Sequence, residues 1–280
     1  MIIDFRDYKN IDFKKYKRVF IFGCSFTHYC WPTWANIIAL ETPDAEVYNF
    51  GQPGGGNLFI AERVIAANQK FKFNDNDLLL IMWSTFSRED RYIDTGWETP
   101  GNIFTQGFYP EEFVKKFVCV KGCIVRDLAI ITMLRNSLQT YTCDSIMFKS
   151  VDPDYDKRLF LGSDFDDVIE LYRDVIYSMG LSLYHFSHNG RGGWTNGHLY
   201  HWSSISYSTP DNPFQDYHPN PKMYMDFLTG SDISLSQSTK DRVLEYNQNM
   251  LEMKERGTIE QYFKDFCKTL PKYKHTQHLI

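Results

Sequence analysis

The chain has 280 residues, 43% hydrophobic and 16% aromatic, enough for one large domain with a sizeable core and too apolar for a disordered protein. A formal charge of −5 argues against a broad nucleic-acid surface, which needs clustered excess Lys and Arg. Apolar residues nowhere run on for about 18 positions, so no transmembrane helix is expected. The opening Met1 to Asp7 lacks a basic stretch leading into an apolar one, so no secretory signal is expected either.

Residues 18–23 form a short apolar run ending in Gly23, the pattern of a buried parallel strand. Trp34 to Leu40 has helical spacing, and Val47 to Phe50 is a second strand, broken by Gly51-Gln52-Pro53-Gly54-Gly55-Gly56. A helix follows from Leu58 to Phe71, then a third strand from Leu78 to Trp83. Residues 88–121 read as a long excursion rich in Gly, Pro and aromatics, a lid or rim. Next come a helix over Gly122 to Thr140, a strand over Ser145 to Phe148, a helix over Asp164 to Met179 and a strand over Leu181 to Phe186. Residues 187–217 are loop-like, a helix starts at Pro221, and residues 235–268 read as one or two amphipathic helices.

This alternation predicts a three-layer α/β/α sandwich with a parallel central sheet over residues 1–232. Residues 233–280 form a C-terminal helical extension packed on that domain or on a partner. In such sheets ligands bind at the carboxyl ends of the strands. Ser25, the glycine loop and Ser84 all follow strand ends, so they are expected to meet at one edge.

Three segments there carry chemistry. Ser25, just after a strand and ahead of a helix, has the position of an exposed nucleophile near backbone N–H donors. The same position also suits an ordinary turn serine. Asn49 to Asn57 supplies glycines that let N–H groups approach an oxyanion, and Asn57 is placed to cap the following helix. Asp216-Tyr217-His218-Pro219 pairs a loop His with a carboxylate, the usual make-up of an oriented general base. The glycine loop has no Walker lysine, and it does not follow the first strand as a dinucleotide loop would.

Cys24 is better placed for packing than for attack. The six cysteines contain no CxxC pair and read as thiols of a reducing, cytoplasmic compartment. His185, His188, His198 and His201 cluster in a glycine-rich stretch without ligand spacing, so no metal site is expected. Arg88 and Arg91 are placed either to bind an anionic substrate group or to form surface ion pairs.

Together these blocks resemble the SGNH/GDSL hydrolase superfamily, in the family's order, over roughly residues 18–230. The resemblance implies Ser25 as nucleophile, Gly54 as a backbone oxyanion donor and His218 as base, in a cofactor-free, flavodoxin-like fold. The family's third block has an Asn that completes the oxyanion hole. The matching Met82-Trp83-Ser84-Thr85-Phe86 has none, which leaves Ser84, Thr85 or Asn57 as the donor. Asp216 stands two residues before His218, where the family's Asp usually stands three before, so either Asp216 orients His218 or the site is a Ser–His dyad.

The expected function is therefore a serine esterase or deacetylase, removing or transferring an acetyl-sized group on a carbohydrate. Trp97, Trp194 and Trp202 would stack on the sugar. The alternative is a catalytically impaired scaffold that binds carbohydrate or serves a structural role. A small acylated or glycan substrate is the expected partner, with neither nucleic acid nor membrane. The Asn-, Lys-, Tyr- and Phe-rich composition suits an AT-rich microbial or viral genome, which would make a virion-associated place the alternative to the cytoplasm.

Overall fold

The computed structural model describes residues 1–104, 109–150, 166–180, 182–183, 218–276 and 279. In chain order, two 3-10 turns precede β1 (Arg18–Phe22), α1 (Trp34–Glu41), β2 (Glu46–Asn49), α2 (Asn57–Phe71) and β3 (Asp77–Trp83). Then come β4 (Arg88–Ile93), β5 (Gly96–Asn102), α3 (Glu111–Phe117), α4 (Val120–Leu138) and β6 (Asp144–Lys149). The rest comprises α5 (Asp166–Leu171), α6 (Arg173–Ser178), α7 (Pro221–Gly230), α8 (Gln237–Glu255), α9 (Ile259–Lys268) and β7 (Tyr273–His275).

The central sheet runs β6-β3-β1-β2-β7, with every neighbouring pair parallel. All seven residues of β3 are buried, as a strand covered on both faces requires. Alternation along the strands divides the core in two. Ile21, Leu80, Met82 and Phe148 face α1, α7, α8 and α9 through Trp34, Ile37, Phe227, Tyr246 and Phe263. Phe20, Phe22, Leu79 and Ile81 face α2 and α4 through Ile60, Val64, Leu128 and Ile131. The result is the expected α/β/α layering. At the strand starts, Arg18 grips the fully buried Asp77 at 2.6 Å, and these two residues are register partners of β1 and β3.

Among β2, β1, β3 and β6 the strand order reverses between β1 and β3, the switch point at which such sheets open a crevice. Ser182 extends the order by one bridge to Lys149 of β6. Most of the strand expected over residues 181–186 lies outside the described residues.

Several elements differ from expectation. The single helix over residues 164–179 is two short helices that meet at Tyr172, where φ is −106° and ψ 15°. The excursion after Ser87 contains an antiparallel hairpin, β4 with β5, followed by α3. Residues 233–280 are not wholly helical: β7 pairs with β2 and lengthens the sheet. Their side chains Val243, Tyr246, Met250, Phe263 and Phe266 belong to the same core as Trp34. Among the described residues no helix is long and apolar enough to cross a membrane.

Candidate active site

The loop after β1 is held from several sides. Thr27 and His28 both donate their N–H groups to the Cys24 carbonyl, closing a tight turn around Ser25 and Phe26. The Thr27 carbonyl accepts from the Thr33 hydroxyl at 2.7 Å and from the Asn49 amide at 2.9 Å, while its hydroxyl accepts from the Trp34 indole at 3.2 Å. A Cβ at Gly23 would lie 2.0 Å from Thr27 Oγ1, so the turn closes only over glycine. Ser25 is buried at this turn, and Cys24 points into the core with its thiol fully covered.

The glycine loop is equally determined. Gly51 donates to Asn49 Oδ1, Gln52 to the Gly23 carbonyl, Gly55 to the Gln52 carbonyl and Gly56 to Asp90 Oδ1. Gly54 is the exception. Among the described residues neither the Gly54 N–H nor the Ser25 N–H donates a hydrogen bond. The β4–β5 hairpin braces this loop: Arg88 Nη1 donates to the Gly55 carbonyl at 3.0 Å, and the Thr99 hydroxyl donates to the Pro53 carbonyl at 3.0 Å. Asp90 accepts from both Gly56 and Phe59, filling the N-terminus of α2 with an internal carboxylate, and burial raises its pKa. Arg88 thus serves the loop backbone, and Arg91 lies over the Tyr109 and Phe113 rings. Trp97 stands edge-on to Phe59 and Tyr92, so much of its ring is engaged within the fold.

At the exit of β3, Asn57 takes a structural part. Its Oδ1 accepts from the Ser84 N–H at 2.8 Å, and its Nδ2 donates to Asp127 Oδ2 at 2.8 Å and to the Ser84 carbonyl at 3.3 Å. Both amide hydrogens are used, which leaves no donor for an oxyanion. The Thr85 hydroxyl accepts from Arg88 Nε at 3.3 Å. The Ser84 hydroxyl is buried with no hydrogen-bond partner among the described residues, whereas the Thr85 hydroxyl is engaged as an acceptor only, so Ser84 is the one of the three with no hydrogen bond at all among those residues.

Asp127 is a residue that sequence reading misses. It is fully buried on α4, paired with Arg126 Nε at 2.7 Å, and burial pushes its carboxyl up to about 7 against the pull of that guanidinium. The available signal is a carboxylate inside the apolar stripe of Ile124, Leu128 and Ile131.

His218 comes from far along the chain to the first loop. Its ring stacks on Tyr29 at 3.7 Å between centroids and meets Phe26, next to Ser25, edge-on at 5.3 Å. The Trp31 indole donates to the Pro219 carbonyl at 2.9 Å, tying residues 188 apart in sequence. Asn220 caps α7 by accepting from the Met223 N–H, and α7 packs on α1, the helix that follows the Ser25 loop. The tertiary structure therefore gathers Ser25, the glycine loop, Ser84 and His218 at one edge. Asp216, the four clustered histidines, Trp194 and Trp202 lie outside the described residues. Among the described residues no group of His, Cys, Asp and Glu could hold a metal ion.

No protein-family model, curated protein or solved structure matches this chain.

Proposed function

We propose that the protein is a serine esterase that removes or transfers a small acyl group, of acetyl size, on a carbohydrate. The observation that carries this reading is that the Ser25 N–H and the Gly54 N–H, in the loops after β1 and β2, donate no hydrogen bond among the described residues, while the other glycine-loop N–H groups from Gly51 to Gly56 are engaged. The first loop stands at the switch point of the sheet and the glycine loop follows the neighbouring strand, with a buried His docked on the first. Donors fixed in advance and aimed at developing charge are the largest single contribution in acyl transfer.

In the proposed reaction His218 accepts the Ser25 hydroxyl proton as Oγ bonds to the acyl carbon. The carbonyl oxygen becomes an oxyanion, held by the Ser25 and Gly54 N–H groups and by the Ser84 hydroxyl. As the tetrahedral adduct collapses, the ester C–O bond breaks and His218 returns the proton to the departing sugar hydroxyl. Water, or a second hydroxyl, then attacks the acyl-serine by the same steps. None of the six cysteines is in a disulfide, which supports a reducing, cytoplasmic setting.

The test is covalent labelling with a fluorophosphonate together with hydrolysis of p-nitrophenyl acetate. Wild type is expected to be labelled at Ser25 and to turn over. Ser25→Ala and His218→Ala should lose turnover by about 10³-fold or more while melting as cooperatively as wild type. A folded wild-type protein that neither labels nor hydrolyses the ester would favour the carbohydrate-binding scaffold. Near-wild-type rates in either variant would sink the residue assignment.

A further inference from the structure

Five segments meet behind the candidate site through one chain of polar contacts. The Ser84 backbone at the end of β3 is gripped by the Asn57 amide, at the start of α2 and the end of the glycine loop. Asn57 is in turn gripped by Asp127 of α4. The other Asp127 oxygen accepts from Arg126 Nε, and Arg126 reaches the hairpin through Glu89 Oε2 at 2.7 Å and the Arg88 carbonyl at 2.6 Å. Arg88 closes the ring on the Gly55 carbonyl. Asn57, Ser84 and Asp127 are each buried to 2% exposure or less, so no solvent competes for these bonds.

The chemistry allows one arrangement. The Ser84 N–H can only donate, so Asn57 must point its oxygen at that N–H, which leaves its nitrogen between the Ser84 carbonyl and α4. A nitrogen donor on that side requires an acceptor on α4, and the Arg126 Nε–H requires a second one. A carboxylate supplies both from one side chain, and Asp127 does so. We infer that Asp127 is a positioning residue that, through Asn57, sets the separation between the glycine loop and the end of β3. What that separation serves rests on the esterase reading: it holds the Gly54 N–H and the Ser84 hydroxyl on opposite sides of one oxyanion.

The donor logic provides its own test. Asp127→Asn keeps the shape but replaces one acceptor by an N–H donor facing Asn57 or Arg126, so the clamp breaks. The swapped pair N57D/D127N restores it in reverse. The carboxylate then on α2 accepts from the Ser84 N–H and from the amide then on α4, whose oxygen accepts from Arg126, and only the longer 3.3 Å bond to the Ser84 carbonyl is lost. Amide exchange at Ser84, read by NMR, is expected to speed up at least about tenfold in D127N and to return to within about threefold of wild type in the double variant. On p-nitrophenyl acetate, kcat should fall about tenfold or more in D127N with KM little changed, and recover in the double variant. If D127N does not fold, the double variant is still expected to fold.

Unchanged Ser84 exchange in a folded D127N, or a double variant no better than the single, overturns the inference. Wild type that exchanges as expected but neither labels nor turns over sinks the esterase reading alone, and the exchange arm still decides the clamp.

Discussion

A Cβ at position 54 would stand 2.0 Å from the Thr99 carbonyl oxygen, and the backbone there has a φ of +79°. Both features exclude a side chain, and the first involves backbone that cannot swing away. Gly54→Ala is therefore expected to cost about 1–3 kcal/mol in a thermal or urea melt and to slow Ser25 labelling by displacing the adjacent N–H. Ser84 presents the opposite case. Its hydroxyl is buried and unpartnered among the described residues, so Ser84→Ala should leave stability within about 1 kcal/mol of wild type. If that hydroxyl completes the oxyanion hole, turnover should still fall by about 10²–10³-fold. Equal rates for S84A and wild type would return the oxyanion to the two backbone donors alone. That Ser25 and Gly54 stand in loops at strand ends is legible in the sequence, because apolar strands and glycine turns are local patterns. The role of Asp127 is not, because its partner lies 70 residues away, and its place in the apolar stripe of α4 hints at burial without saying what it binds.

The elements that sequence reading locates well, β1, β2, β3, α2 and α4, are regular, largely apolar and long enough to show their period. The hairpin escapes it because β5 contains Gly96, Pro100 and Gly101, residues that ordinarily speak against a strand. Strand β7 escapes it because three residues show no period at all and gain their partner from β2. That short strand brings His275 onto His28, three residues past Ser25, with ring centroids 3.4 Å apart and planes within 10°. His275 Nε2 lies 3.1 Å from the Gly51 carbonyl, and the Phe263 ring of α9 faces His28 at 6.5 Å. Burial, reinforced by His275, lowers His28 to about 3, and burial lowers His275 as well.

Both rings are thus neutral in the folded state and take up protons on unfolding below their ordinary range near 6.5. The His28 contribution is intact above that pH and is lost as pH falls from about 6.5 toward 3, and His275 acts in the same direction. For His28 alone the slope is about 1.4 kcal/mol per pH unit in that window. Urea unfolding of wild type should weaken between about pH 7 and pH 5 more steeply than that of His28→Phe, which keeps a stacked ring but cannot be protonated. Parallel pH profiles for the two proteins would show that the stacked pair does not titrate as described.

At the scale of the molecule, residues 2–3 and 273–275 join the sheet on opposite sides. Ile2 and Ile3 bridge to Ser145 at the start of β6, while β7 extends the opposite side next to β2. The helices α8 and α9 complete the core that α1 and α7 begin, and α7 in turn presents His218 to the Ser25 loop. A chain ending at residue 232 would expose that core and leave β2 as a bare edge. It is expected to lose its cooperative melt and to aggregate, as read by calorimetry and size-exclusion chromatography. A soluble, cooperatively melting 1–232 fragment would show that the C-terminal segment is an accessory.

The residue order by itself determined the layered α/β/α class and the three strand-end loops, because apolar period and glycine punctuation are local properties that short windows express. Only the tertiary structure decided that Asn57 clamps Ser84, that Asp90 and Arg88 brace the glycine loop, that His218 rests on Tyr29 and Phe26, and that β7 carries His275 to His28. Each of these joins groups from separate segments. Whether a hydrogen-bonding group is engaged or left uncommitted depends on what the whole fold places within about 3 Å of it, a distance that the order of residues does not contain.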